Sequence, residues 1–275
     1  MSVIGPIFER GFIDQSFANR EGRGSHRAIE VYERYRNRHA FVLRADVYRY
    51  FPAIDHAVLK RDIRRRIACP PTLALIDAII DASNRQEPVE DYYPGDDLFS
   101  PYERRRGLPI GNLTSQWFAN IYLDPLDHFC TERLAAPYLR YVDDFALFAD
   151  DREILEGWRR EIEGFLARRR LRLHPRKTFI QETAEPATFL GFELLAGNHR
   201  RLPEASVERA RRRIRSIRDQ LKAGTLSLKD ARARIQALRA HADFAQTAKL
   251  QAALLRGLPD EVKRRPKKRR AKRRT

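Results

Sequence analysis

Three carboxylates stand at the ends of apolar runs. Asp46 closes Phe41-Val42-Leu43-Arg44-Ala45-Asp46, and Asp143-Asp144 follow Val142 between two short arms, Tyr138-Leu139-Arg140-Tyr141 and Phe145-Ala146-Leu147-Phe148. An acid at the end of one strand is ordinarily just solvated. Two strand ends, one carrying paired acids, can bring three carboxylates to the edge of one sheet. Such groups repel, and binding hard cations such as Mg²⁺ relieves the repulsion. Two ions held together activate an attacking hydroxyl and stabilise a departing oxyanion in an in-line displacement. Other site chemistries are disfavoured. The seven histidines are scattered without H-E-x-x-H spacing, and Cys69 and Cys130 are too few for a disulfide framework or a Cys-rich zinc site. Both thiols are expected to be buried, in a reducing compartment.

The elements that must position these acids follow from periodicity. A helix is expected over Arg27 to Tyr35, then the strand ending at Asp46. Asp55 suits the N-cap of a helix with Val58, Leu59, Ile63 and Ile67 inward, which Pro70-Pro71 should end. A short helix over Leu73 to Ala82 precedes a long loop from Asn84 to Gly107. Asn112 to about Leu134 reads as a helix that Pro125 should kink or restart. The arms around Val142-Asp143-Asp144 form a β-hairpin with acids at its tip. A charged helix (Glu153 to Arg169) and strands over Thr178 to Gln181 and Thr188 to Leu195 complete an α+β layer. Beyond Pro203 the pattern becomes helical and arginine-rich. Val207, Ala210, Ile214, Ile217 and Leu221 share one face, Gly224 closes the helix, and Ser227 with Asp230 starts the next.

The whole chain has 275 residues, with Lys+Arg 54 against Asp+Glu 37, a formal net charge of +17. That excess points to a polyanionic partner. Ten of the basic residues lie between Lys263 and Arg274, and without them the net charge is +7. The start of the sequence lacks the basic, then long apolar, stretch of a signal peptide, and no run approaches membrane-spanning length. No membrane partner and a cytoplasmic protein are therefore expected.

Tyr141-Val142-Asp143-Asp144, following Asp46-Val47-Tyr48-Arg49-Tyr50-Phe51, resembles the palm of a reverse transcriptase, and further blocks agree in order along the chain. The resemblance implies a right-hand polymerase: partial fingers over 1–40, where the family's region is longer, and a palm over 41–196 with a fingers insertion at about 70–106. A helical thumb over 197–258 and a basic, disordered tail over 259–275 complete it. It implies two Mg²⁺ ions, with Mn²⁺ as a substitute, on Asp46, Asp143, Asp144 and the carbonyl of Val47. Lys177 would protonate the leaving pyrophosphate. Phe51 would be the steric gate against a ribose 2′-OH. In Gly107-Leu108-Pro109-Ile110-Gly111-Asn112-Leu113-Thr114-Ser115-Gln116, the residues Ile110, Gly111, Ser115 and Gln116 would line the incoming nucleotide and template base. Arg20, Arg23 and Arg27 would bind template or triphosphate, and Leu190-Gly191 would be the primer grip.

Most enzymes resembling those of group II introns carry Gln-Gly where this chain has Ile110-Gly111. The pattern Ile-Gly-x-x-x-Ser-Gln is similar to that of diversity-generating retroelements, which implies cDNA synthesis that errs opposite template adenines. The partners so implied are a template RNA, a DNA or RNA primer, deoxynucleoside triphosphates and a small basic accessory protein. The alternatives are a retron or group II intron-type enzyme, or an inactive RNA-binding protein of maturase type.

Overall fold

The computed structural model describes residues 3–83, 91–245 and 247–264. Two compact units divide between Ala184 and Glu185.

In the first unit, a short helix α1 (Gly5–Glu9) and α2 (Ser25–Arg36) precede β1 (Phe41–Asp46). The helices α3 (Tyr50–Ala53), α4 (His56–Arg64), α5 (Pro70–Asp81), α6 (Ser100–Glu103) and α7 (Leu113–His128) follow. The hairpin β2 (Tyr138–Tyr141) and β3 (Asp144–Ala149), α8 (Arg152–Arg168) and β4 (Phe179–Glu182) complete it. The four strands form an antiparallel sheet in the order β2-β3-β1-β4. The central β1 and β3 are the most apolar strands because helices cover them: α8 lies on β1, β3 and β4, and α2 lies on β2 and β3. On α8 the buried residues Leu155, Ile162 and Leu166 recur at helical spacing, with charged positions between them. The α+β expectation holds.

Local differences have simple causes. Asp55 caps α4 as expected, accepting from the Val58 amide at 2.9 Å. Pro70-Pro71, expected to end a helix, instead begins α5, because proline lacks an N–H and the first helical positions need none. The chain runs helical through Pro125 and then widens into a π-turn, Phe129–Arg133. Of the expected long loop, residues 91–107 are described and include α6, while 84–90 lie outside the described residues. Cys130 is buried, but Cys69 is exposed, correcting the expectation for that thiol; it directly precedes Pro70 at the start of α5.

The second unit begins with a three-stranded antiparallel sheet, β5 (Ala187–Phe189), β6 (Phe192–Leu195) and β7 (His199–Arg201). The helices α9 (Glu204–Lys222), α10 (Leu228–Ala242), α11 (Ala248–Leu254) and α12 (Asp260–Lys263) follow. Ile214, Ile217, Ala231, Ile235, Leu255, Leu258 and Val262 form its helical core. This small sheet groups with the helices and not with the expected palm, whose end at 196 therefore lies beyond the division. Part of the stretch expected as a disordered tail is folded: Val262 is fully buried on α12, and 265–275 lie outside the described residues. Among the described residues no helix is long and apolar enough to cross a membrane.

Candidate active site

Register brings the acids together. In the antiparallel pairing of β1 with β3, Asp46 stands directly opposite Asp144, and paired residues project from the same face. The hairpin turn is two residues long, Val142-Asp143, with Val142 at φ 59°. Positive φ at the first central position suits the twist of a tight hairpin, but a β-branched side chain is strained there. The turn is tied to the neighbouring strand, since the Val47 amide donates to the Asp143 carbonyl at 3.1 Å. Beyond Asp46, the His174 amide donates to the Asp46 carbonyl at 2.7 Å and that of Tyr48 to the Arg172 carbonyl at 2.9 Å. This stitching carries the segment between α8 and β4 alongside the acids and delivers Lys177, whose Nζ lies 2.9 Å from Asp46 Oδ2.

The electrostatics match a crowded anionic edge. Burial, reinforced by the neighbouring Asp46 charge, raises the pKa of Asp143. Burial pushes Asp144 up to about 6; Arg44, 4.0 Å from it, pulls the other way, and Asp46 and Asp143 add to the rise. The bond to Asp46 raises Lys177, so its ammonium stays protonated. Among the described residues no group of three His, Cys, Asp or Glu closes around a metal position. The donor set nevertheless fits a hard divalent cation, being carboxylate oxygen throughout, and Asp46 already holds a cationic partner in Lys177.

Other expected site residues divide. Phe51 packs against the core, edge-on to Tyr50 at 5.7 Å, and its carbonyl accepts from the Leu108 amide at 2.9 Å. The Gly107 amide donates to the Ile54 carbonyl at 2.8 Å, so the Gly107–Gly111 block is laced to the Phe51 turn. Ile110 is 72% exposed, and Gly111 has φ 97° with open space where a Cβ would stand. Ser115, in contrast, is buried on the core side of α7, and Gln116 is half-buried. Arg20 corrects another expectation: its side chain is 3% exposed, with its donors engaged by Glu9 and by the carbonyls of Ile13 and Ser16. Arg23 and Arg27 remain partly exposed, paired with Asp14 and Glu30. Leu190 (φ 47°) and Gly191 (φ 84°) form the β5–β6 turn of the second unit.

Sequence reasoning missed a polar network behind the acids. Arg140 is fully buried and holds both oxygens of Asp127, also fully buried, each at 2.6 Å. The one signal available was a guanidinium inside an apolar strand, a residue rarely buried without a partner.

Residues 4–194 match the family described as reverse transcriptase (RNA-dependent DNA polymerase). The chain belongs to the reverse transcriptase family. It is 25% identical to Protein YkfC of Escherichia coli (strain K12), an alignment covering 71% of this chain and 58% of that protein. The telomerase of Candida Tropicalis in complex with a TWJ fragment of telomeric RNA aligns with a TM-score of 0.53 and 14% identity, over 89% of this chain and 46% of that one. The apo telomerase of the same organism gives 0.50 and 13%, over 92% and 49%. The chain thus spans little more than half of YkfC and under half of each telomerase chain. The likeness to the telomerases is one of fold, the right-hand polymerase, and reverse transcriptases generally work with divalent metal ions.

Proposed function

We propose that this reverse transcriptase-family chain is an RNA-directed DNA polymerase that extends a DNA or RNA primer along a template RNA with deoxynucleoside triphosphates. The observation that carries this reading is the convergence of Asp46, Asp143, Asp144 and Lys177 at one sheet edge. Asp46, Asp143, Asp144 and the Val47 carbonyl would hold two Mg²⁺ ions, or Mn²⁺ in their place. When bound, the ions supply Lewis-acid activation of the primer hydroxyl and charge stabilisation at the phosphates. The primer 3′-hydroxyl gives up its proton to water, and its oxygen forms the new bond to the α-phosphorus as the bond to pyrophosphate breaks. Lys177 is the proton source for the leaving oxygen, its ammonium kept charged by Asp46. The Phe51 ring, held by Tyr50 and by the Leu108 bond, excludes a 2′-OH. Primer extension on an RNA template with Mg²⁺ tests the reading. Product from the wild type and none from Asp143→Ala supports it, whereas a wild type that binds RNA tightly but extends nothing favours the inactive, maturase-type alternative.

The finer assignment is a diversity-generating retroelement enzyme whose cDNA carries errors opposite adenine. The exposed Ile110 supports it, because it presents an alkyl group where the family's amide would make a polar contact. A fidelity assay on Ile110→Gln should give fewer errors opposite adenine; an unchanged error spectrum removes Ile110 from that role. Near-identical DNA repeats beside the gene, differing mainly at adenines, and a small basic accessory protein encoded nearby would support the assignment. Their absence would favour a retron or group II intron-type enzyme.

A further inference from the structure

The strand Tyr138-Leu139-Arg140-Tyr141 carries a charge where packing calls for a hydrocarbon, and the charge has no access to solvent. A buried ion persists only when its donors are met, and here each arm of the fork is occupied. Nε and one terminal nitrogen grip Asp127, and that nitrogen also donates to Ser16 Oγ at 3.1 Å. The other donates to the Val142 carbonyl at 2.8 Å and to Asn120 Oδ1 at 3.3 Å. Asp127 is braced in turn by the Tyr138 hydroxyl at 2.8 Å.

Two of these contacts reach functional segments from opposite sides. Val142 has the strained positive φ and directly precedes Asp143, so the bond to its carbonyl orients the peptide that carries the acid. Ser16 begins the segment leading to the Arg23 loop. The Arg140 backbone holds that segment as well, donating to the Gln15 carbonyl at 2.9 Å and accepting from the Phe17 amide at 3.0 Å. Asn120 completes the tie by donating to the Ala18 carbonyl at 2.8 Å. The loop then closes back, with the Gly24 amide on the Phe17 carbonyl at 2.9 Å.

We propose that Arg140 is a positioning residue for polymerisation: a single buried guanidinium, anchored by Asp127, that sets the catalytic turn at Asp143 and the N-terminal arginine loop in register with each other. The proposal rests on the polymerase reading above. Lysine cannot replace it, because one ammonium lacks the planar fork needed to meet Asp127, Val142 and Ser16 together.

The test uses the full chain with Arg140→Lys and Ser16→Ala, folding being followed by circular dichroism. Ser16→Ala cuts only the side-chain contact to the N-terminal segment, and is expected to raise KM for the nucleotide about fivefold with kcat within about twofold of wild type. Arg140→Lys cuts both sides and is expected to lower kcat by about 100-fold as well. Mn²⁺ binding, read by electron paramagnetic resonance without substrate, should weaken about tenfold in Arg140→Lys and stay unchanged in Ser16→Ala. A folded Arg140→Lys with kcat and Mn²⁺ affinity within about twofold of wild type would overturn the proposal. If Arg140→Lys does not fold, Ser16→Ala and Asn120→Ser decide: an unchanged nucleotide KM in both overturns it. A wild type that extends no primer counts against the polymerase reading alone, and the Mn²⁺ comparison then decides the proposal.

Discussion

Two ion pairs flank the turn at Asp143, one behind it and one in front. Behind, Arg140 and Asp127 meet through two 2.6 Å bonds with neither side chain exposed. In front, Lys177 touches Asp46 at 2.9 Å while remaining 59% exposed. Each joins a base to an aspartate, yet the physical consequences are opposite. A planar fork in a dry site has no water to exchange into and acts as a strut. An ammonium on a solvated stem is replaceable, so in the proposed reaction Asp46 would exchange it for a harder cation and Lys177 would turn to the leaving group. In the proposed roles the same residue chemistry therefore positions in one place and reacts in the other, and burial decides which.

The comparison can be broken from either side. The largest effect is expected at the turn itself: Asp143→Ala should lower primer extension by about 10³-fold or more while the melting temperature is kept, measured by single-turnover extension and thermal melting. Removing the buried anchor should cost stability as well as rate. Asp127→Ala leaves Arg140 unpaired and should cost about 3–5 kcal/mol of unfolding free energy in urea titrations. The exposed pair should respond in rate alone: Lys177→Ala is expected to lose about 100-fold in kcat with stability changed by less than about 1 kcal/mol, and equal stability losses at Asp127 and Lys177 would erase the contrast.

A smaller effect concerns pH. Asp144 has its folded pKa raised to about 6 by burial, above an unfolded value near 4, so its protonated form favours folding. The metal-free chain should accordingly lose stability from this group as pH rises from about 4 through 6. Asp144→Asn should raise the melting temperature at pH 7 and flatten this slope, Asp143 retaining part of it. A variant that melts lower at pH 7 than wild type would contradict this. The smallest effect concerns the basic C-terminal residues. Deleting 265–275, which carries eight of the basic residues, should weaken RNA binding and its salt dependence while leaving kcat at saturating template intact.

Much of the sheet edge was legible in the sequence. The apolar run ending at Asp46 and the two arms around Asp143-Asp144 are short-range patterns, and β1 and the β2–β3 hairpin lie where those patterns put them. Capping was legible for the same reason, since Asp55 and Ser227 act on amides three residues away. Pro70-Pro71 was misread because proline both ends helices and begins them, and only the chain beyond it decides. Arg20 looked like a ligand for phosphate because arginine in a Gly-rich loop is ambiguous until its burial is known. Ser115 lay in the right motif, but on the core side of its helix.

The sequence alone determined the candidate acids, the elements that carry them and the basic character that suits a polyanion, because residue type, local periodicity and charge are properties of the chain itself. Tertiary structure alone decided that Asp46 faces Asp144, that Lys177 reaches Asp46 across 131 residues, and that Arg140 binds Asp127, Val142 and Ser16 at once. Those relations depend on strand register and on which charges are cut off from water, and both exist only once distant segments have packed.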